Sequence, residues 1–257
     1  MFKILIFFIC HWYITVFFQT FFLHRYASHR QFSMSFFWER VFYVLTYLAQ
    51  GASFLTPRAY AILHNNHHKY SDTKKDPHSP HYQSNIFGLL LKMLLEFESI
   101  RLHPEKHKPD HDTMEYPDWP LFERLAESYP VRALWLVVII YIYFLLDAPL
   151  WAYILVPLHG YIGPLQGGIV NWFGHKNGYV NFKMSDKSRN SLPIDFILMG
   201  ELYQNNHHRY PLNINFSSRW FEVDVTYYII RLLGFVGIIN LNESFVSNDQ
   251  KALKHST

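Results

Sequence analysis

The sequence predicts an all-α integral membrane protein: about three transmembrane helices, further helices at the membrane interface, and a cytoplasmic helical cap that carries histidine motifs. Three observations support this prediction. Long uncharged runs interrupt the 257-residue chain, almost all Lys and Arg fall on one side of those runs, and histidines cluster where the runs end. Residues 1–257 are expected to form a single domain.

The first element is a predicted membrane span over residues 3–23. No charged residue occurs from Ile4 to Leu23, and these 20 residues are the length that a helix needs to cross the hydrocarbon core. A secretory signal peptide is the alternative. No small-residue cleavage site follows the run, however, since His24-Arg25-Tyr26 comes instead.

Two more spans are predicted over residues 131–147 and 149–171. Both segments are dominated by uncharged residues, and the turn Asp147-Ala148-Pro149 joins them as a tight hairpin. Three weaker apolar stretches are short or contain a charge, so we expect them to lie at the interface or in a core. These stretches are 41–57, 86–95 and 225–240.

The distribution of positive charge predicts which side each segment occupies. The three spans leave residues 24–130 and 172–257 on one side, and every Lys and Arg except Lys3 lies there or, like Arg132, at the edge of a span. The positive-inside rule makes that side cytoplasmic. The Pro- and charge-rich stretch 103–120 is the expected connection within it.

Composition excludes several classes of protein. A single Cys excludes a disulfide-stapled secreted module and any iron–sulfur centre with four thiolates. A formal net charge of +3 does not indicate a nucleic-acid-binding protein. The unusual feature is 16 histidines, so any metal chemistry would use imidazole and oxygen ligands.

Eight histidines stand at the ends of the apolar runs. The motif HNNHH places its imidazoles at positions i, i+3 and i+4, which share one face of a helix, and QNNHH is a near copy later in the chain. The eight candidate metal ligands are His24, His29, His64, His67, His68, His175, His207 and His208.

Eight imidazoles exceed the three or four of a mononuclear site and therefore predict two metal ions. His24 and His29 are five residues apart and diverge on an α-helix, so they suit two different metals or a helix that unwinds at its end. Imidazole alone does not choose among Zn, Cu, Fe and Ni. A polar surface patch or a pH-sensing cluster is the alternative, and His11, His159 and His255 are expected to be ordinary hydrogen-bonding or surface residues.

Carboxylates near these motifs are candidates to hold the second ring nitrogens. Metal-bound histidines usually donate that N–H to a carboxylate or a carbonyl. The candidates are Asp72, Asp76, Asp195 and Glu201. For Asp72 and Asp76 a simple turn remains the alternative, because SDTKKDP has the composition of a turn.

On these motifs the chain resembles the membrane-bound histidine-box fatty acyl desaturases, specifically the stearoyl-CoA desaturase-like branch, over about residues 20–240. HRYASHR is similar to the first histidine box of that family, HNNHHKYSDTKKDPH to the second and ELYQNNHHRYP to the third. Asn171 and His175 in NWFGH fall on a fourth element, in which the family uses a histidine ligand and an asparagine that holds a metal-bound water. WFEVDVTYYIIRLLG resembles the family's C-terminal amphipathic helix.

The resemblance implies a non-haem di-iron centre on the cytoplasmic face that uses O₂ to introduce a cis double bond into a saturated acyl chain. It implies a fatty acyl substrate, membrane lipid, and electrons from a separate cytochrome b5- or ferredoxin-like donor with its reductase, since no HPGG haem motif occurs. The location would be the inner membrane of a bacterium or the endoplasmic reticulum of a eukaryote.

The sequence departs from that branch at three points. Gln204 stands where the third box usually has a histidine, so its amide is expected to coordinate a metal, to act through water or to leave a position open. The family typically has four spans, and three are predicted here. The charged residues that precede and enter the second box in animal acyl-CoA enzymes are missing from ILHNNHH. Their absence favours an acyl-carrier-protein or acyl-lipid substrate over acyl-CoA, and all three stay open.

Two other functions remain open on sequence alone. A histidine-box hydroxylase or ketolase would share the metal site but insert oxygen into its substrate. A non-catalytic metal-binding membrane protein would contain zinc or no metal.

Overall fold

The computed structural model describes residues 2–108 and 114–241, and it is mostly helical. His255 and residues 109–113 of the expected connection lie outside these ranges. The helices are α1 (Phe2–Phe18), α2 (Phe36–Gln50), α3 (Pro57–Tyr70), α4 (Ile86–Leu102), α5 (Pro104–His107), α6 (Pro120–Ala126), α7 (Tyr129–Leu145), α8 (Val156–His159), α9 (Ile162–Lys176), α10 (Gln204–Arg209) and α11 (Val225–Phe235). The strands are β1 (Phe32–Met34) and β2 (Ile239–Leu241).

The first helix is the one element that is long and apolar enough to cross a membrane alone, among the residues described. α1 continues without a break into a π-helix over Gln19–Ser28, so the continuous helix has 27 residues. The predicted span over 3–23 lies within it. The helix therefore carries the chain from an apolar segment directly into the first histidine motif.

A second segment is long and apolar enough to cross a membrane only when two helices are counted as one span. α6 and α7 meet at an angle of 55°, and α7 covers most of the predicted span 131–147. By length and composition the described chain thus has one or two helices suited to a membrane.

The third predicted span is not a single helix, which corrects the expectation for 149–171. A 3₁₀-helix over Leu150–Leu155 leads into the four-residue α8, and α9 starts only at Ile162. Pro157 has no N–H to donate and stands in the first turn of α8, and Gly160, a poor helix former, follows the last residue of α8. α9 then runs to Lys176 and brings His175 to its last turn.

Buried aromatic side chains form the main core. Phe21 and Phe22 of the π-helix pack with Phe42 and Tyr43 of α2 and with Phe54. The stretches 41–57, 86–95 and 225–240 form α2, α4 and α11 with short flanking pieces, as expected for helices that are too short to span.

Two long-range contacts fasten the C-terminal region to the first histidine motif. β1 and β2 pair antiparallel, with Ser33 opposite Asn240. Arg25 donates a hydrogen bond of 2.8 Å to Asp224 and stacks on Phe216, with both charged side chains fully buried. A buried ion pair needs such added contacts to offset its desolvation.

His11 and His159 behave as expected for hydrogen-bonded interior residues. Their Nδ1 atoms are 2.6 Å apart, the carbonyl oxygen of Ala49 accepts from His11 Nε2, and Tyr143 bonds His159 Nε2. Each ring nitrogen thus has a partner.

Candidate metal centre

The structure gathers all eight candidate histidines into two neighbouring clusters. In each cluster the ligand nitrogens lie within 4.8 Å of one another, and the side chains are buried or nearly so. The five-histidine cluster consists of His24, His29, His64, His68 and His207. The three-histidine cluster consists of His67, His175 and His208.

The five-histidine cluster directs one nitrogen of each ring toward a common point. Nε2 of His64 lies 2.8 Å from Nε2 of His29 and 2.9 Å from Nε2 of His68. Nε2 of His207 lies 2.9 Å from that of His68 and 3.0 Å from that of His24. α3, α10 and the π-helix therefore each contribute ligands to one position.

The π-helix explains why His24 and His29 belong to the same cluster. Its hydrogen bonds join residues five apart, and the N–H of His29 donates to the carbonyl oxygen of His24 at 3.2 Å. Residues i and i+5 consequently lie above one another, whereas they would diverge on an α-helix. The expectation that these two histidines bind different metals is thus not supported by their geometry.

The three-histidine cluster is held by three aspartates, one for each ring. Nδ1 of His67 donates to Asp76 at 2.9 Å, and Nδ1 of His175 donates to Asp72 at 2.9 Å. Nδ1 of His208 donates to Asp186 at 3.0 Å. Because each Nδ1 carries the proton, each Nε2 presents a lone pair to the cluster.

Glu201 accepts an Nδ1 proton in the five-histidine cluster, as the three aspartates do in the three-histidine cluster. Asp195 does not. Glu201 accepts from Nδ1 of His24 at 2.6 Å and also from the hydroxyl of Thr20. Asp195 instead accepts the backbone N–H groups of Leu198, Gly200 and Leu202. The structure therefore gives Asp195 the role of holding the loop before α10, because all its bonds are to backbone amides.

Asp72 and Asp76 combine the two roles that the sequence left open. Asp72 sits in a turn with a φ of 58°, a left-handed conformation that aspartate tolerates. Asp76 accepts the backbone N–H of Asp72 as well as the His67 proton. The same two aspartates therefore form the turn and accept the Nδ1 protons of the imidazoles.

Burial keeps most of these imidazoles neutral. It lowers the pKa of His64, His68 and His207 well below the ordinary value, and the neighbouring imidazoles lower it further. Burial also lowers the pKa of His208 to about 4, although Asp186 opposes this. For His67 burial acts in the same direction, but the carboxylate of Asp76 outweighs it and raises the pKa.

The ligand atoms fit metal ions well. Where Nδ1 donates its proton to a carboxylate, as in His24, His67, His175 and His208, the neutral ring presents the lone pair of Nε2 to the cluster, and that lone pair is available to a cation. Nε2 of His175 is buried with no hydrogen-bond partner among the described residues, as a nitrogen reserved for a metal would be. The two clusters are therefore suited to hold two metal ions.

Gln204 and Asn171 lie at the edge of this site and line the adjacent cavity. Nε2 of Gln204 donates to the carbonyl oxygen of Glu201 at 2.7 Å, and Nδ2 of Asn171 donates to Gly167 within α9. α9 and α10 touch here, since a Cβ on Gly174 would lie 2.4 Å from Cγ of Gln204. Only glycine permits this approach of Gln204 to the last turn of α9.

Sequence reasoning missed three residues that shape the site. Asp186 holds His208 but lies 22 positions from it, so proximity in sequence gave no signal. Asn206, inside the third motif, donates to Glu222 and to the carbonyl oxygen of Phe216, which fixes α10. His78 is buried beside His67 with both ring nitrogens unpartnered among the described atoms, and its place in DPH was the available signal.

A cavity leads away from the metal clusters between α1, α3, α4 and α9. His24 and His64 lie in its wall together with Gln204, and the walls beyond them are largely apolar, with Leu55, Val170 and Leu198. A long apolar chain bound here would pass beside the five-histidine cluster.

A sequence model of one protein family matches most of the chain. The family is described as fatty acid desaturase, and the match covers residues 2–231. It includes every histidine of the two clusters.

Curated relatives are similar at 26–28% identity. An acyl-CoA 5-desaturase from Anemone leveillei is 27% identical over 87% of this chain and 66% of its own length. A hex-5-enoyl-(acyl-carrier protein) acetylenase from Moorena producens is 26% identical over 84% of this chain and 70% of its own. An sn-1 stearoyl-lipid 9-desaturase from Synechocystis is 28% identical over 84% of this chain and 64% of its own.

Proposed function

The chain belongs to the fatty acid desaturase family and is an oxidoreductase, and on that premise we propose that it introduces a cis double bond into a saturated fatty acyl chain at a di-iron centre. The two histidine clusters would hold the iron ions. The observation that carries the proposal is the position of eight converging imidazoles at one end of an apolar cavity.

Iron, when bound, would supply the O₂-dependent oxidant that removal of hydrogen from unactivated C–H bonds requires. The protein's own contribution is positional. The five-histidine cluster and the three-histidine cluster fix two neighbouring metal positions, while the cavity holds one segment of the acyl chain beside them. The site of the double bond would then depend on how far the chain enters the cavity.

The carrier of the acyl chain is part of the proposal. The names of three relatives refer to acyl-CoA, an acyl-carrier protein and a stearoyl-lipid respectively. We propose that this chain uses one of these three carriers. Electrons would come from a separate cytochrome b5- or ferredoxin-like protein and its reductase.

The proposal includes a multi-pass membrane location with the metal centre on the cytoplasmic side. Its support is the long apolar first helix, the bent α6–α7 pair and the concentration of Lys and Arg in 24–130 and 172–257. Residues 1–257 would act as one domain.

The test is expression in a host that lacks unsaturated fatty acids and supplies a compatible electron donor. The expected result is new cis-unsaturated chains that are two mass units lighter than their saturated precursors. Chains that gain one oxygen atom would identify a hydroxylase instead, and no product from membrane-inserted, iron-loaded protein would contradict both.

Matched histidine variants test whether formation of the product depends on the two histidine clusters. His67→Ala and His208→Ala remove buried ligands from the three-histidine cluster and should abolish the product. His103→Ala changes an exposed histidine outside both clusters and should leave the product unchanged. Product at the normal level from His67→Ala and His208→Ala would remove these residues as ligands.

A further inference from the structure

We propose that the side chain of Gln50 closes the far end of the cavity beside the metal clusters, which we call the acyl cavity, and so limits how much of an acyl chain can lie beyond the metals. A second cavity on the other side of Gln50 would receive the end of a longer chain if that side chain were made smaller. This inference rests on the proposed function, because it concerns the substrate of the same site.

The acyl cavity runs along two helices, away from the metal clusters. On α9 its wall extends from Asn171, beside the clusters, back to Gly163, a distance of eight residues or about 12 Å of helix. On the first helix the wall extends in the same direction, from His24 back to Val16. Both helices carry their metal ligands at their C-terminal ends. Gly163 and Val16 therefore mark the end of the cavity that is remote from the metals.

A second cavity continues in the same direction. Its wall includes His11, which precedes Val16 on α1, and Gly160, which precedes Gly163. α7 contributes apolar side chains to this wall, among them Val138, and it contributes none to the acyl cavity. The two cavities thus lie one after the other, with about 7 Å of α1 between their nearest lining residues.

Gln50 stands between the two cavities. Its side chain is fully buried and lines the second cavity. Oε1 accepts a hydrogen bond of 3.0 Å from the backbone N–H of Leu55, a residue in the wall of the acyl cavity. Nε2 would lie 3.5 Å from a Cβ on Gly163, which belongs to the same wall. One side chain therefore reaches from the wall of one cavity to the wall of the other.

Hydrogen bonds and close packing hold this partition in place. The hydroxyl of Ser53 donates to the carbonyl oxygen of Gln50 at 2.8 Å and accepts from the N–H of Gly163 at 3.3 Å. A Cβ on Gly163 would lie only 3.1 Å from the carbonyl oxygen of Ser53, so α9 packs tightly on this segment. Extra methylenes pushed into such a region would displace packed groups, which is unfavourable. The partition therefore acts as a stop for the methyl end of the chain.

The test locates the methyl end of a bound chain and requires neither electrons nor turnover. Purified full-length protein in nanodiscs is irradiated with saturated fatty acids that carry a photoreactive diazirine at the methyl end and differ in steps of two carbons. Only cross-links that an excess of stearic acid removes are counted, which excludes labelling of the outer surface. We expect such cross-links in the acyl cavity, at Val16 or Leu55 for the longer probes, and none on α7. Cross-links on α7 of the unaltered protein, or no cross-links in the cavity, would overturn the proposal.

Gln50→Ala removes the stop, and Gln50→Leu is its matched control. Leucine keeps most of the side-chain volume and loses the hydrogen bond to Leu55, so it separates the effect of volume from the effect of a weakened contact. In Gln50→Ala the cross-links of the longer probes should shift from the acyl cavity to α7, and in Gln50→Leu they should not shift. Short probes that still label the acyl cavity show that each variant is folded.

A second substitution tests whether the chain end enters the second cavity. Val138→Phe fills part of that cavity, so in combination with Gln50→Ala it should return the cross-links to the acyl cavity. Absence of α7 cross-links in folded Gln50→Ala, or an equal shift in Gln50→Ala and Gln50→Leu, would refute the inference.

Failure of this inference is distinguishable from failure of the proposed function. New double bonds in cells, together with α7 cross-links in the unaltered protein, would retain the enzyme and reject the stop at Gln50. Cross-links that shift as expected in a protein that forms no double bonds would retain the stop and reject the desaturase.

Discussion

At the scale of single residues, the two histidine clusters differ in how their rings are held. Each ring of the three-histidine cluster has its own aspartate, whereas in the five-histidine cluster the described contacts give only His24 a carboxylate. Anionic partners raise the basicity of an imidazole ligand. The aspartates therefore strengthen the cluster that has fewer imidazoles.

Asp186→Asn tests this role. The amide can still accept from Ser188, but it no longer offers a carboxylate to Nδ1 of His208. We expect metal affinity of the three-histidine cluster to fall about 10- to 100-fold while the fold is retained. Metal titration of the apo protein measures it, with Asp147→Asn in an exposed turn as the control. Equal affinities in the two variants would contradict the role of Asp186.

Gln204→His tests whether the three-histidine cluster lacks a ligand. The side chain lies at the edge of the cluster and lines the cavity, so an imidazole there would add a nitrogen beside His175. We expect the weaker-bound metal to dissociate about tenfold more slowly. Chelator-challenge kinetics measure the rate. A faster loss of metal would show that Gln204 itself is the better partner.

Lowered histidine pKa values predict how the apo protein responds to acid. Burial lowers the pKa of His64, His68 and His207, so the native state binds fewer protons than the unfolded chain below about pH 6.5. The free energy of unfolding is therefore greatest above that pH, where these rings are neutral in both states. It decreases as the pH falls, because the unfolded chain takes up more protons than the native state.

Thermal unfolding of the apo protein between pH 8 and pH 5 measures this loss. The melting temperature should be constant above about pH 7 and should fall below about pH 6.5. His64→Leu should flatten the decline, and His103→Ala should leave it unchanged. A melting temperature that rises in acid would contradict the direction of the shifts.

Individual residues also show how far sequence reasoning reached at the site. The position of the eight histidines at the ends of apolar runs made all of them candidates, and the spacing in HNNHH and QNNHH supported five of them. Asp186 was not found, since its contact with His208 depends on how the loop before α10 folds. Asp195 was predicted to accept a proton from an imidazole because it is acidic and close to the third motif in sequence. Its carboxylate instead accepts hydrogen bonds from backbone amides.

At the scale of elements, the π-helix decides the composition of the clusters. Five-residue spacing brings His24 and His29 together only when the hydrogen bonds join residues five apart. Apolar periodicity does not distinguish an α-helix from a π-helix within a uniformly apolar run, so the sequence could not predict this. The break of 149–171 into three pieces was readable in part from Pro157 and Gly160.

The contact between α9 and α10 gives a prediction at this scale. Gly174→Ala would place a Cβ 2.4 Å from Cγ of Gln204 and would push α10 away from α9. We expect a loss of about 1–3 kcal/mol in stability and a lower metal content, because His207 and His208 move with α10. Gly167→Ala meets ordinary contacts of 3.4 Å on the same helix and serves as the control. Equal metal content in the two variants would contradict a tight α9–α10 contact.

At the scale of the whole molecule, one helix links the apolar segment, the cavity and the first metal ligands. The helix Phe2–Ser28 carries Gln19 in the cavity wall and His24 in the five-histidine cluster. α9 likewise carries Gln166 in the cavity wall and His175 in the three-histidine cluster. A substrate held by these helices is thereby positioned relative to both clusters by rigid elements.

We propose that the two clusters hold two iron ions. Iron analysis of protein purified without chelators tests it most directly, on the unaltered chain and on His208→Ala and His103→Ala. We predict close to two iron ions per chain for the unaltered protein and for His103→Ala, and no more than one for His208→Ala. Zinc in place of iron, or an iron content that His208→Ala leaves unchanged, would contradict the claim.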